Sequence, residues 1–231
     1  MRALVEKPAT KLPIMMMIGI SWLAIMFSLS AGQEIDRPSE DSNGTSTGGD
    51  ERLQVTIYYE TLCYDSISFI TNHLAPSWGR HRDRMDLKLV PFGKAYIDDS
   101  NPSEPVYYCQ HGHRECTLNI LHGCILDKLP LEKAFPVIAC LMKGFRTSFD
   151  QCYKQDLASK EEIQKCANGE QGAKLFKRSS DETNRVATPL SFVPTIEVDK
   201  NYDIFEQDRW LYRFDRTFRE EFENKFNKTL D

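Results

Sequence analysis

Six of the seven cysteines crowd between Cys109 and Cys166, at positions 109, 116, 124, 140, 152 and 166, while Cys63 stands apart. This set restricts the fold more than any other feature, because the fate of the thiols depends on the redox compartment the chain enters. The amino terminus bears on that. Arg2, Lys7 and Lys11 precede an uncharged apolar run from Ile14 to Leu29, followed by the small residues Ser30, Ala31 and Gly32. A basic start, an apolar middle and a small-residue end read as a secretory signal peptide over residues 1–32, cut before Gln33. The run approaches bilayer length, so an uncleaved signal anchor is the competing reading. No other stretch is apolar enough to span a membrane, and cleavage leaves no stable span. In an oxidising compartment the clustered cysteines Cys109, Cys116, Cys124, Cys140, Cys152 and Cys166 are expected as disulfides, with Cys63 left over. Their pairing stays open.

A hydrophobic content of 41% in 231 residues supports one domain with a buried core. The net charge of -5, with Lys and Arg interspersed among Asp and Glu, leaves no basic field for nucleic acid. Residues 33–52 are acidic, rich in Ser, Thr and Gly, and hold few apolar side chains, so they read as a flexible lead-in. Asn43-Gly-Thr45 and Asn227-Lys-Thr229 are N-glycosylation acceptors; Asn101-Pro-Ser103 is excluded by its proline.

Leu53 to Glu60 is a β-branched and aromatic run of strand length, ending at Thr61-Leu62-Cys63-Tyr64-Asp65-Ser66. Ile67, Phe69, Ile70, Leu74 and Trp78 then recur at helical spacing until Gly79, and Met85 to Phe92 reads as a second strand. Strand, helix, strand is the unit of a parallel sheet, so the class is α/β. From Thr117 to Gly169 the pattern is helical, broken near Pro130 and Gly144. We place a cystine-rich helical insertion at about 94–185, inside a domain spanning 53–206. Leu190 to Val198 resumes sheet patterning, with a turn at Asp199-Lys200-Asn201. Residues 207–231 read as a C-terminal helix whose stripe of Trp210, Phe214, Phe218, Phe222 and Phe226 is expected to pack on the sheet.

Cys63 lies at a strand-to-helix turn, where unpaired N–H groups and the positive end of the helix dipole face a thiolate. Apolar filling by a buried free cysteine is the bland alternative. The run Cys109-Gln-His111-Gly-His113-Arg-Glu115-Cys116 with Cys124 could instead hold zinc, yet it contains neither paired CxxC nor HxxxH spacing. A cysteine hydrolase built from Cys63, one of His111, His113 and His122, and Asn119 is also conceivable. We assign no metal and no cofactor.

Cys109-Gln110-His111-Gly112, Glu115-Cys116, Asn119 and Cys124 together resemble the CQHGxxECxxNxxxxC signature of the gamma-interferon-inducible lysosomal thiol reductase family. Val90-Pro91-Phe92-Gly93, Cys166-Ala-Asn-Gly169 with Gly172, and Val193-Pro194 extend the likeness over roughly residues 53–198. The resemblance implies a thioredoxin-like fold with an inserted helical region. It also implies reduction of disulfide-bonded protein substrates, in endosomes or lysosomes or after secretion. It places Val193 and a cis Pro194 opposite the reactive cysteine, where they would bind an extended substrate.

The resemblance fails at one position. Where that family typically carries CxxC, this chain has Cys63-Tyr64-Asp65-Ser66, so the resolving cysteine is replaced by Ser66. A first thiolate can still attack a substrate disulfide, but a hydroxyl cannot release the mixed disulfide; it can hydrogen-bond the thiolate. Two function classes follow. One is a monothiol oxidoreductase using Cys63, with a small-molecule thiol as resolving reductant. The other is a redox-weak binding or retention protein, such as a chaperone or a secreted immune factor.

Overall fold

The computed structural model describes residues 51–144 and 147–230. The expected signal peptide at 1–32, nearly all of the expected lead-in and Asn43 lie outside the described residues. Strand β1 (Leu53–Tyr59) leads through the Cys63 turn into an almost unbroken helical stretch. That stretch comprises α1 (Tyr64–Phe69), a π segment at Ile70–Leu74, α2 (Ala75–His81) and a 3-10 turn at Arg82–Arg84. Strand β2 (Met85–Pro91) returns parallel to β1, with Leu53 opposite Met85 and Tyr59 opposite Pro91. After a small antiparallel pair, β3 (Tyr96–Asp98) and β4 (Val106–Tyr108), come five helices. They are α3 (His113–Lys128), α4 (Leu131–Leu141), α5 (Phe149–Cys152), α6 (Leu157–Ala167) and α7 (Glu170–Val186). Strand β5 (Thr195–Val198) pairs antiparallel with β1, giving the order β2-β1-β5, and α8 (Gln207–Tyr212) and α9 (Phe214–Phe226) follow.

β1 is the central strand and is buried on both faces, which explains its nearly continuous apolar sequence. Leu53, Val55, Ile57 and Tyr59 enter the main core with Phe69, Ile70, Leu74 and the insertion helices. Tyr58, on the alternate face, packs with Val90, Leu190 and Val193, and Cys63 leans on this smaller cluster. Salt bridges from Lys88 to Glu182 (2.5 Å) and from Arg185 to Glu197 (3.2 Å) fasten α7 to the strands.

Three disulfides staple the region around the insertion. Cys109–Cys116 closes the loop into α3, Cys124–Cys166 joins α3 to α6, and Cys140–Cys152 joins α4 to α5. Gly172 lets α7 approach closely: a Cβ there would lie 2.7 Å from both the Cys166 carbonyl oxygen and Ile120 Cγ2.

Some sequence expectations differ from the structure in detail. The segment at 94–185 opens with the β3–β4 pair before its first helix. Strand pairing at 190–198 is limited to Thr195–Val198, after cis peptide bonds at Thr188–Pro189 and Val193–Pro194. The polypeptide after residue 207 makes two helices with a break at Arg213 (φ -136, ψ 34). The aromatic stripe is buried in the same core as Leu53, Val55, Ile57 and Ile196 of the sheet, and it also meets the first helical stretch. Phe214 meets Phe69 edge-on at 5.5 Å, Phe218 stacks on His81 at 5.7 Å, and Arg84 lies over Phe222 at 6.0 Å, so α9 packs on the helical stretch that leaves Cys63.

Candidate active site

The site forms at the carboxyl ends of the parallel strands, the usual location in open α/β sheets. Cys63 is the N-cap of α1, its carbonyl accepting the Ile67 N–H at 2.9 Å. Cys63 is the free cysteine and is partly exposed. Its thiol donates to the Val193 carbonyl oxygen at 3.7 Å, and the peptide bond joining Val193 to Pro194 is cis. Chain segments 130 residues apart therefore meet at the sulfur.

Ser66 is fully buried, and its hydroxyl accepts the Glu60 N–H at 3.3 Å. This bond turns the hydroxyl toward the end of β1, whereas the sequence suggested a bond to the Cys63 sulfur. Solvent reaches position 63 but not position 66.

One face of α3 holds the turn that carries Cys63. Glu115, Asn119 and His122 follow one another at helical spacing and are all buried. Glu115 Oε1 accepts the Leu62 N–H at 3.1 Å; Asn119 Oδ1 accepts the Thr61 N–H at 3.1 Å and the Thr61 hydroxyl at 2.8 Å. His122 Nδ1 hydrogen-bonds the Tyr59 hydroxyl at 2.9 Å. Each residue from Tyr59 to Leu62 except Glu60 thus has a partner on this helix. Complete burial pushes His122 down to about 3, so this imidazole is neutral and serves packing and hydrogen bonding.

Glu60 is held from the other side. Its Oε1 accepts the Lys94 N–H at 2.7 Å, and its buried Oε2 has no hydrogen bond. Burial raises the pKa of this carboxyl, and the neighbouring Glu115 adds to the rise, while the Lys94 N–H and His111 oppose it. His111 Nδ1 sits 3.5 Å from Glu60 Oε2 and 2.8 Å from Glu115 Oε1, and the His111 N–H donates to Glu115 Oε2 at 3.1 Å. Gly93, at φ +64, is required here because a Cβ would lie 2.3 Å from Glu60 Cγ.

These contacts give the motif residues physical work. His111, Glu115 and Asn119 shape the Cys63 turn, and none of their hydrogen bonds described here goes to the sulfur. The hydrolase constellation, which needs an imidazole within hydrogen-bond reach of the thiol, is not what they form. Cys109, Cys116 and Cys124, the thiolates of the zinc alternative, are bound in disulfides. Glu60, His111 and Glu115 do bring donor atoms within 4.8 Å of one another. Those atoms are occupied by one another and by backbone N–H groups, apart from Glu60 Oε2. Asn227, the second glycan acceptor, is exposed at the carboxyl end of α9.

Sequence reasoning missed Glu60, Thr61 and Gly93 as parts of the site. A charged residue closing an otherwise apolar strand was the available signal for Glu60.

The family model for gamma interferon inducible lysosomal thiol reductase matches residues 54–170, which hold both the Cys63 turn and the α3 motif. The chain belongs to this family. GILT-like protein 2 of Drosophila melanogaster is 33% identical over 184 residues, covering 78% of this chain and 86% of its own. The gamma-interferon-inducible lysosomal thiol reductase of Mus musculus is 34% identical over 154 residues, covering 64% of this chain and 61% of its own. Among solved structures, Chlamydia trachomatis DsbA matches with a TM-score of 0.50 at 13% identity, over 73% of this chain and 87% of that one. The fold of this family member is thus thioredoxin-like and of the DsbA kind, with a disulfide-bonded helical region. Among the described residues no helix is long and apolar enough to cross a membrane.

Proposed function

We propose that this chain is a thiol–disulfide oxidoreductase that acts on protein disulfides through Cys63 alone, in the lysosomal or endosomal lumen or after secretion. The observation that carries the reading is the seat of Cys63: a partly exposed free thiol at a helix N-cap, 3.7 Å from the Val193 carbonyl oxygen and next to Pro194. Val193 and Pro194 are the proposed backbone platform for the client.

The Cys63 thiol gives up its proton to solvent, and the thiolate attacks one sulfur of a client disulfide. A Cys63–client S–S bond forms, the client S–S bond breaks, and the second client sulfur leaves as a thiolate that takes up a proton. Ser66 cannot attack the new bond. A small-molecule thiol therefore attacks Cys63 Sγ, releasing the client sulfur. A second thiol molecule then attacks the sulfur of the first, freeing Cys63. The net change is one client disulfide reduced to two thiols and two small thiols oxidised to one disulfide.

The test uses the full mature chain, a disulfide-bonded client and non-reducing gels. Wild type is expected to form long-lived client complexes, and turnover is expected to rise with small-thiol concentration. Ser66→Cys is expected to shorten the lifetime of the complexes and raise turnover with a dithiol. Cys63→Ser is expected to abolish trapping and turnover together; unchanged trapping in that variant would favour the redox-silent binding protein. Glycosylation at Asn43 and Asn227, and cleavage before Gln33, belong to the same secretory reading and are checked by glycosidase treatment and terminal sequencing.

A further inference from the structure

A cleft of about 260 Å³ opens beside Cys63, between the start of the first helical stretch, the Val193–Pro194 platform and α8. It is smaller than the roughly 300–1,000 Å³ of sites that engulf a small molecule, so its size suits one or two side chains of an extended segment. Val193 ties it to the chemistry, since this residue lines the cleft and its carbonyl accepts from the Cys63 thiol. A client that delivers a sulfur to Cys63 along the platform lays a neighbouring residue here.

The lining names the chemistry of that residue. Phe69, Phe192 and Leu211 supply apolar walls, while Asp65 from α1 and Asp208 from α8 bring two carboxylates from separate elements. Both carboxylates are exposed, and no ion pair occupies either among the described residues. His73, stacked on Phe69, is the one basic residue of the lining. Apolar walls with unpaired carboxylates match a long side chain with an alkyl stem and a cationic head, and repel an acidic one.

We propose that this cleft is a client subsite selecting lysine or arginine beside the reactive cysteine, with Asp65 and Asp208 as its specificity-determining residues. The assignment rests on the exchange reading above and narrows its substrate class.

The test uses short peptides that differ only in the residue beside one cysteine (Lys, Ala or Glu), each cysteine carrying thionitrobenzoate in disulfide linkage. Attack by the Cys63 thiolate forms the Cys63–peptide bond and expels the coloured thionitrobenzoate thiolate, so capture is read directly. At low ionic strength the Lys peptide is expected to react about tenfold faster than the Glu peptide, with Ala between, and added salt is expected to compress the ratio. In the Asp65→Asn, Asp208→Asn double variant the Lys-to-Glu ratio is expected to fall to about twofold or less. The ratio is the readout because losing Asp65 changes the field at the thiolate for all peptides alike. Serine versions of the same peptides, followed by fluorescence anisotropy, separate docking from chemistry and are expected to keep the Lys preference. Equal capture of Lys and Glu peptides, or a ratio that survives in the double variant, overturns the subsite while leaving exchange standing. Failure of every peptide to label Cys63, with cation-selective docking of the serine versions intact, overturns the exchange reading and leaves the subsite standing; loss of that docking preference overturns the subsite.

Discussion

Asn119→Ala tests whether α3 shapes the Cys63 turn. Asn119 is 1% exposed, and its Oδ1 accepts both the Thr61 N–H and the Thr61 hydroxyl. Truncation strands the N–H where water does not reach, at a cost of about 1–3 kcal/mol, and removes a second bond whose net value is about 1 kcal/mol. The hydroxyl keeps an alternative acceptor in the Glu115 carbonyl oxygen at 3.3 Å, so it is not itself stranded. The Asn119 Nδ2 group has no partner and loses none. The sum is a destabilisation of about 2–4 kcal/mol. With a urea slope of about 2 kcal/mol per molar, the unfolding midpoint falls by about 1–2 M. Hydrogen exchange at the Thr61 and Leu62 amides is expected to accelerate, and the alkylation rate of Cys63 is expected to change with it. Thr61→Val is the control: it removes the hydroxyl, keeps the N–H bond to Oδ1, and is expected to cost about 1 kcal/mol. A midpoint shift in Asn119→Ala no larger than in Thr61→Val, with unchanged exchange and alkylation, would refute the clamp.

Other outcomes follow from the same site. Gly93→Ala is expected to cost about 2–5 kcal/mol in urea unfolding, from a positive φ combined with overlap on Glu60, and Glu60→Ala in the same chain is expected to recover part of it. Burial lowers His122 from 6.5 to about 3 in the folded state, so the unfolded chain binds the extra proton between those values. Its contribution is complete above pH 6.5 and is lost as pH falls, by about 2 kcal/mol at pH 5, and His122→Gln is expected to flatten that slope in pH-resolved unfolding. Glu60 runs the opposite way: its raised pKa means that its stability contribution is present at acidic pH and lost as pH rises above the ordinary 4.5. Glu60→Gln is therefore expected to gain stability relative to wild type as pH rises above 4.5. Alkylation followed by mass measurement is expected to label one cysteine before reduction and all seven after it.

The parts of the fold that were legible were those in which apolar period and secondary structure agree. β1 could be read because a strand buried on both faces carries a nearly continuous apolar run, and β2 because exposed Asp86 and Lys88 alternate with buried Met85, Leu87 and Leu89. α3 was harder, because its buried face mixes Glu115, Asn119 and His122 with Cys124 and Ile125, which erases the usual polar–apolar contrast. Cys63 stood out by its place at the strand end, but the roles of Glu60 and Thr61 depend on contacts with residues more than 30 positions away, for which local patterning has no signal. β3 and β4 have three residues each, too short for alternation to show.

The wide spacing between the Cys63 turn and its clamp also bears on how the protein is made. Leu62 and Glu115 are 53 residues apart in the chain, and Thr61 and Asn119 are 58 apart. At a synthesis rate of about 5–20 residues per second, a nascent chain exposes Cys63 for several seconds before the residues that enclose its turn exist. The next cysteines to emerge, Cys109 and Cys116, meet a thiol that is older than either and not yet sequestered. Prompt closure of the short loop between those two would remove both as partners for Cys63, and docking of α3 would then enclose the turn while the sulfur stays partly exposed. Chain order thus makes early oxidation of the insertion a condition for delivering an odd thiol unpaired.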